Sequence, residues 1–274
     1  MGWLKKNLMT ILLVTILLAG VGLLLYPTVS DYWNSFHQSK AVVSYVENVT
    51  NIDDEQYEKL WNNAVAYNEK LAENGIQWTL TDEEKEEYNE YLKVDDSGIM
   101  AYIDIPVIDC SLPIYHGTDE SVLQIAIGHI EGSSLPVGGE GSHCVVSGHR
   151  GLPSARIFTD LDKLVEGDIF LIHTLDATLT YEVDQIRIVE PTDLSDLQIE
   201  EGKDLCTLVT CTPYGINTHR LLVRGHRIEN EEEAEEIRVS ADATQVDPVQ
   251  VAPVVAMPIL LLMLIWVFIG KKKR

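Results

Sequence analysis

Residues Thr207–Arg224 read TLVTCTPYGINTHRLLVR. Two runs rich in β-branched and aliphatic residues flank a loop that contains Pro213 and Gly215, which is typical of two strands joined by a turn. This arrangement leaves Cys211 at the end of one strand and Arg220 at the start of the next. A thiol at a sheet rim is able to meet a substrate, so this stretch indicates both a β fold and a candidate site.

Similar β-rich runs, separated by Gly and Pro, fill the chain from residue 99 onward. We predict strands at Ile99–Ile105, Leu112–Tyr115, His143–His149, Asp168–Thr174, Thr178–Glu190, Leu205–Cys211 and His219–Ile228, with a helical turn at Thr118–Ile127. Several short strands with regular turn signals predict a sandwich or a barrel. The fold is therefore expected to be mainly β.

Helical patterns precede the strands. Apolar residues recur at helical spacing from Asp54 to Asn74, and Gly75 ends the run. Thr81 lies three residues before Glu84, the capping-box pattern, and predicts a short acidic helix to about Leu92. We interpret its acidic residues as a solvated helix face rather than as a binding site.

Two uncharged apolar stretches lie near the ends of the chain. Leu8–Tyr26 has 19 residues and Val251–Gly270 has 20, close to the roughly 20 that a membrane-spanning helix needs. Lysines and arginines flank both on the terminal side, which predicts cytoplasmic termini and an external middle. The alternative for the first stretch is a cleaved signal peptide, but the run is longer than the apolar region of such a peptide, so we favour an uncleaved anchor.

Charge excludes one class of partner. Between the two apolar stretches lie 14 of the 20 basic residues and all 43 acidic residues, a formal charge of about −29. Nucleic acid is therefore a poor partner for this region.

The four cysteines, Cys110, Cys144, Cys206 and Cys211, form no Cys-x-x-Cys pair, so no zinc site is indicated, and their spacing leaves the disulfide state open.

Cys211 is the candidate nucleophile, although a lone cysteine is more often a small buried hydrophobe. A thiol becomes a useful nucleophile beside a base or a cation, because the thiolate is the attacking species. His149 ends a strand at a Gly-rich turn and is the best-placed base, with His143 on the same strand face as its rival. Arg220 is able to hold a carbonyl or an oxyanion.

Two alternatives to Arg220 as the residue that holds a carbonyl or an oxyanion remain open. In the first, Arg224 or Arg227 has this role. Arg220 is also open to interpretation as a surface arginine paired with one of the many carboxylates.

These segments resemble the active-site segments of sortases, the Gram-positive cell-surface cysteine transpeptidases. The resemblance rests on Thr207–Arg227, on Ser147–Ser154 followed by Phe158–Asp162, and on Leu112–Gly117 and Gly128–Gly138, and it covers about residues 98–227. The same set resembles class C, the pilin-polymerising branch. Members of that branch often carry a C-terminal membrane helix.

The resemblance implies a sortase β-barrel with N-terminal helices, flanked here by two transmembrane helices. It implies that Cys211 is the nucleophile, His149 the catalytic histidine and Arg220 the catalytic arginine, with no cofactor and no metal. The implied substrate is an LPxTG-type sorting signal cleaved between Thr and Gly. The implied acceptor amine is a pilin lysine or, for wall anchoring, a peptidoglycan precursor.

Class C sortases usually carry a lid with an Asp-Pro-aromatic motif, and the corresponding stretch, residues 73–81, contains no Asp-Pro. Trp78 is the candidate aromatic of a lid, and with Thr210 it is our candidate for the substrate-binding or lid region. A Trp packed on a helix is the alternative for Trp78, so autoinhibition stays open.

The predicted organisation has five parts: residues 1–30 as a cytoplasmic tail and anchor, 31–97 as a helical lid region, 98–230 as the catalytic barrel, 231–250 as an acidic linker, and 251–274 as a second span with a basic cytoplasmic tail. Two rival functions differ in class. One is a surface structural protein, itself a sortase substrate, but residues 246–258 contain no Leu-Pro-x-Thr-Gly. The other is an inactive barrel that only binds.

Overall fold

A computed structural model describes residues 2–230 of the chain. Residues 231–274, which hold the predicted acidic linker and the predicted second span, lie outside the described residues. The described part consists of N-terminal helices followed by a β-barrel.

Eight strands form the barrel, closed in the order β1-β2-β3-β4-β7-β8-β6-β5. They are β1 Ile99–Ile105, β2 Cys110–His116, β3 Ile127–His129, β4 Ser142–Gly148, β5 Ile169–Thr174, β6 Ala177–Val189, β7 Asp204–Thr212 and β8 His219–Ile228. All seven predicted strands are present, with ends that differ by at most two residues. The mainly β barrel is therefore confirmed.

The sequence did not predict β3. It lies where the helical turn was expected to end at Ile127, whereas the helix in this region, α4, covers only Glu120–Leu123. Strand β3 pairs in parallel with β2 and antiparallel with β4. Three residues are too few to show the alternation that marks a strand, and both pairings depend on contacts distant in the sequence.

The sheet that carries the candidate site consists of β4, β7 and β8. Strand β4 is parallel to β7, with Cys144 opposite Cys206 and Ser147 opposite Val209, and β8 is antiparallel to β7. Because side chains alternate between the two faces of a sheet, one set fills the barrel interior and the other faces outward. The interior set includes Val146, Leu208 and Val223 along with the two cysteines.

Helix α1 is a single helix over Gly2–Asn51 and contains Pro27. Its portion Asn7–Asn51 includes an 18-residue window of mean hydropathy 2.7, none of it buried. Within residues 2–230 it is the one helix long and apolar enough to cross a membrane. Near its other end the Tyr45 hydroxyl donates to the Met100 carbonyl at 2.9 Å and accepts from Leu175 N at 2.8 Å, which fixes the helix on the barrel.

Helix α2 covers Asp54–Asn74 and α3 covers Asp82–Tyr88. The predicted bounds of α2 are confirmed, and so is the capping box, in which Thr81 N donates to Glu84 Oε2 at 2.8 Å and Glu84 N to Thr81 Oγ1 at 3.3 Å. Helix α3 ends four residues before the predicted Leu92. The backbone of Leu92 has φ 54°, which a right-handed helix does not accept.

The segment between α2 and α3, residues 75–81, lies against the barrel. A Cβ on Gly132 would come within 1.9 Å of the Gln77 carbonyl oxygen. Only a glycine permits this approach, so the position of the segment depends on residue 132. Nearby, the buried amide of Asn68 on α2 donates to Leu135 O at 3.0 Å and accepts from Leu135 N at 2.7 Å.

Candidate active site

Cys211, His149 and Arg220 come together at one end of the β4-β7-β8 sheet. Cys211 is directly opposite Arg220 in the antiparallel ladder of β7 and β8. The parallel ladder of β4 and β7 pairs Ser147 with Val209, and His149 directly follows Gly148, the last residue of β4, so it lies at the same end of the sheet as Cys211. The structure thus brings the three predicted site residues into one row, with Cys211 and Arg220 on neighbouring strands and His149 just beyond the end of β4.

This row lies on the outward face of the barrel. Cys211 is five residues beyond Cys206 and His149 is five beyond Cys144, and an odd separation reverses the face along a strand. The Cys211 side chain is half-exposed, and that of His149 is 28 % exposed. Both are open to solvent, whereas the other two cysteines of these strands point inward.

The remaining thiols are poorly placed to react with a substrate. All four cysteines are free. Burial raises the pKa of the Cys110 thiol to about 12. Cys144 and Cys206 are buried in the barrel, where burial raises the pKa of Cys206, and a hydrogen bond with Cys206 lowers that of Cys144. No substrate backbone reaches that pair, so the predicted choice of Cys211 agrees with the geometry.

His149 and His143 have different surroundings. His143 is fully buried; its Nε2 lies 2.8 Å from Thr207 Oγ1 and its Nδ1 lies 2.8 Å from the Gln198 carbonyl. Burial lowers the pKa of this imidazole, and its two contacts join β4 to β7 and to the turn at Gln198. His149 instead presents Nε2 at 3.8 Å from the exposed carboxylate of Glu120, at the start of α4.

Arg220 is half-exposed and has no carboxylate partner within residues 2–230. Its Nη1 donates to the carbonyls of His219 at 3.1 Å and Asn217 at 3.4 Å. Its two rivals are already paired: Arg224 forms a two-pronged pair with Asp184 at 2.9 and 3.0 Å and reaches Glu200 at 2.8 Å, and Arg227 lies 4.0 Å from Asp204. Arg220 therefore retains a charge that a ligand is able to use.

An apolar patch adjoins the row. Val145, Leu197, Val209 and Leu222 form a buried cluster, and Trp78, Ile130, Val189 and Leu194 pack against it. Val209 precedes Cys211 by two residues on β7, and Leu222 follows Arg220 by two on β8, a step of about 7 Å along a strand. Trp78 is half-buried on this patch, while Thr210 is buried and donates to the Gly148 carbonyl at 2.7 Å. The Thr210 hydroxyl therefore holds β7 against β4 and does not face the outer surface.

Sequence reasoning missed several residues that surround the row. Glu120 beside His149 was not predicted, because nothing in its local pattern indicates a partner 29 residues away. Arg150, Asp162 and Tyr214 lie inside the segments that carry the family resemblance, but no role was predicted for them. Within residues 2–230 no group of three or more His, Cys, Asp or Glu side chains is arranged to hold a metal ion.

Comparison with known proteins gives the family. A model of the sortase domain matches residues 103–228. The crystal structure of sortase C1 from Streptococcus agalactiae is 55 % identical, with a TM-score of 0.69, and the match covers 70 % of this chain and all of that one. This chain belongs to the sortase family.

Sortases are cysteine transpeptidases, and the solved structures similar to this chain include class C members. Sortase C from Streptococcus pneumoniae is 43 % identical, with a TM-score of 0.62, over 70 % of this chain and 97 % of that one. Sortase D from Bacillus subtilis is 32 % identical over 135 residues, 48 % of this chain; the chain spans 64 % of that relative's length. The predicted family resemblance is confirmed.

Proposed function

We propose that this protein is a membrane-anchored class C sortase. In this role it cleaves an LPxTG-type signal between Thr and Gly and transfers the threonyl acyl group to a lysine amine of a pilin subunit. The observation that carries the proposal is the row in which Cys211 faces Arg220 across one ladder, with His149 directly after the end of β4, the strand that pairs with β7. The pilin acceptor is supported by the similarity to the pneumococcal sortase C, whose structure was described in terms of pilin substrate specificity.

Cys211 is the nucleophile in this mechanism. Its thiolate attacks the carbonyl carbon of the substrate threonine and forms a tetrahedral intermediate. Collapse of the intermediate breaks the Thr–Gly C–N bond and leaves a thioester on Cys211. The half-exposed position on the outer face gives a peptide access to this sulfur.

His149 carries the proton in both halves of the reaction. It protonates the departing glycine amine as the C–N bond breaks, and it then accepts a proton from the incoming acceptor amine. Attack by that amine on the thioester forms the new amide bond and releases the Cys211 thiolate. Glu120, 3.8 Å from His149 Nε2, is in position to pair with the imidazolium form.

Arg220 supports the carbonyl oxygen on which negative charge develops. A guanidinium presents a planar fork of donors, and Arg220 uses Nη1 on two backbone carbonyls. Because none of the ion pairs within residues 2–230 uses its charge, the remaining N–H groups are available to an oxyanion. Such donors typically contribute about 10² to 10³ in rate.

The apolar patch beside the row is an argument for an LPxTG-type signal as the substrate. In an extended peptide the proline lies two residues before the threonine, or about 7 Å. The same distance separates Cys211 from the level of Val209 and Leu222. Trp78 packs on this patch, so the segment around it competes with substrate for the same surface and acts as the lid.

The anchor is supported by α1, whose apolar portion is unburied in the structure. We propose that this helix spans the cell membrane together with a second span at residues 251–270. Both termini are then cytoplasmic and the barrel is extracellular, where sorting signals and acceptor amines are found.

The function is tested with full-length protein in detergent and three reagents: a fluorogenic Leu-Pro-x-Thr-Gly peptide, a purified pilin with the same signal, and a peptidoglycan-precursor amine. We expect cleavage at Thr–Gly, and lysine-linked pilin ladders that resist boiling in detergent. If the acyl group is transferred to the precursor amine and no ladders form, the function is wall anchoring and not pilus polymerisation. Absence of Thr–Gly cleavage would contradict the sortase activity itself.

A further inference from the structure

Arg150 directly follows His149, and its side chain is only 10 % exposed. Its guanidinium makes three contacts with two other segments of the chain. Nε donates to the Thr159 carbonyl at 3.2 Å, Nη1 donates to Thr212 Oγ1 at 3.5 Å, and Nη2 pairs with the Asp162 carboxylate.

The same guanidinium also lies over an aromatic ring. Its central carbon is 5.9 Å from the ring centroid of Tyr214, within the range of a cation–π contact. Thr212 directly follows Cys211 and is the last residue of β7, Tyr214 lies in the loop that comes next, and Arg150 belongs to the loop that follows His149. One side chain thus joins the two loops that leave the candidate site.

Backbone contacts also connect residues 158–162 to His149 and the loop that follows it. Phe158 N donates to the His149 carbonyl at 3.1 Å, and Gly151 N lies 3.3 Å from Thr159 Oγ1. A Cβ on Gly151 would meet the Tyr214 ring at 2.9 Å, so these loops are in close contact. The position of the His149 backbone therefore depends on residues 158–162, which Arg150 ties to residues 212–214.

A largely buried guanidinium is costly unless its donors are satisfied. Arg150 satisfies this requirement with one carboxylate, one carbonyl and one hydroxyl, in directions that match a planar fork. A lysine ammonium is a point charge and does not reach all three. By contrast, Arg187 on β6 pairs with Asp196 while its side chain is 58 % exposed, which is an ordinary surface pair.

We propose that Arg150 is a positioning residue for the transpeptidation reaction: it holds His149 at a fixed distance from Cys211 without touching the substrate. The inference rests on the proposed function. Small displacements of a catalytic group reduce the rate of the chemical step more than they reduce binding, by up to about 100-fold for about 1 Å. Loss of Arg150 is therefore expected to lower kcat and to leave KM unchanged.

The first test compares Arg150→Met and Arg150→Lys with Arg187→Met in the full-length protein, using the fluorogenic signal peptide. We expect kcat to fall about 10- to 100-fold in both Arg150 variants, with KM within twofold of wild type. Arg187→Met is the control, because Arg187 has no contact with residues 158–162, and it retains wild-type kcat. A kcat within twofold of wild type in Arg150→Lys, or a rise in KM alone, would overturn the proposal.

The second test asks whether Arg150 acts through His149. This test requires no peptide substrate. The rate at which iodoacetamide alkylates Cys211 is measured against pH in wild type, Arg150→Lys, His149→Ala and the double variant. We expect Arg150→Lys to move the profile toward that of His149→Ala, and to have no further effect once His149 is absent. Equal effects in the two backgrounds would overturn the proposal.

The two tests separate this inference from the proposed function. If wild-type protein cleaves the peptide and the Arg150 variants behave like wild type, only the positioning role is contradicted. Wild-type protein that does not cleave contradicts the function, and the alkylation profiles still decide the role of Arg150. Arg150→Lys keeps the positive charge, so it provides the measurement if Arg150→Met does not fold.

Discussion

Arg220 differs from the other arginines of the described barrel in its contacts. Arg150, Arg156, Arg187, Arg224 and Arg227 each lie within 4.0 Å of a carboxylate. In a region of strongly negative formal charge, an arginine without such a partner is unusual. Its charge contributes little to the fold, so its replacement is expected to affect the reaction more than stability.

Substitution at residue 220 should therefore separate activity from stability. We expect Arg220→Ala to lower kcat/KM about 10² to 10³-fold, and Arg220→Lys to recover part of the loss because it keeps the charge without the planar fork. The free energy of unfolding, measured by urea titration, should change by less than about 1 kcal/mol. Arg187→Ala, which removes an exposed arginine on β6, is the matched control for charge.

Either of two outcomes would contradict this account of Arg220. If Arg187→Ala lost as much activity as Arg220→Ala, net charge and not the position of Arg220 would be responsible. If Arg220→Ala unfolded the protein, the residue would have a structural role that its contacts do not show.

The three site residues were predictable at the residue scale, and their surroundings were not. Cys211 and Arg220 flank a single turn, so strand pairing alone places them opposite each other. The family resemblance then distinguished His149 from His143. Glu120 and Asp162 reach the site through tertiary contacts, and no local pattern in the sequence encodes such contacts.

At the scale of elements, the segment of residues 75–81 shows how one glycine fixes a loop. Gly132 has φ 86° and leaves room for the Gln77 carbonyl where a Cβ would lie 1.9 Å away. The loop carries Trp78 onto the apolar patch beside Cys211. A methyl group at residue 132 would displace the loop and with it the indole ring.

The variant Gly132→Ala is therefore expected to detach residues 75–81 from the barrel. Hydrogen exchange of peptides from this segment should accelerate at least about tenfold, which corresponds to the loss of about 1.4 kcal/mol of local stability. Cleavage of the signal peptide should also accelerate, because the apolar patch becomes accessible. Gly202→Ala is the matched control, since Gly202 has φ 74° and no atom within 4 Å of its added Cβ.

Two outcomes would count against this view of the segment. Unchanged exchange in residues 75–81 of Gly132→Ala would show that the contact with Gln77 does not hold the loop. Similar acceleration in Gly202→Ala would show that backbone strain, and not the close approach, is the cause.

Elements with a complete local signal were predicted correctly, and those without one were not. Helix α2 has both its periodic apolar face and its terminal glycine in the sequence, and its bounds matched the prediction. Strand β3 has three residues and forms only because β2 and β4 are present on either side. Helix α1 continues to Asn51, beyond the end of the apolar run, and its last turns pack on the barrel.

For the whole molecule, the distribution of charge and apolar sequence decides the expected orientation. Six of the 20 basic residues lie in the two short segments outside the apolar stretches, close to the ends of the predicted spans. Such a distribution favours cytoplasmic ends and an external middle. The barrel is then on the side of the membrane where sorting signals are exposed.

Protease protection tests this orientation on cells whose wall has been removed. We expect an epitope inserted after residue 230 to be digested by added protease, and epitopes at residue 1 and residue 274 to be protected until the membrane is permeabilised. Digestion of the C-terminal epitope on intact cells would contradict the second span. Loss of the epitope at residue 1 from the membrane-bound protein would indicate a cleaved N-terminal segment.

The central claim is that Cys211 forms a thioester with the sorting signal. The most direct measurement is mass spectrometry of full-length protein after brief incubation with a Leu-Pro-x-Thr-Gly peptide and acid quenching, with Cys211→Ala and Cys110→Ala in parallel. We predict a Leu-Pro-x-Thr acyl adduct on Cys211 in wild type and in Cys110→Ala, and neither adduct nor cleavage in Cys211→Ala. Cleavage that persists in Cys211→Ala, or an adduct on another cysteine, would contradict the account.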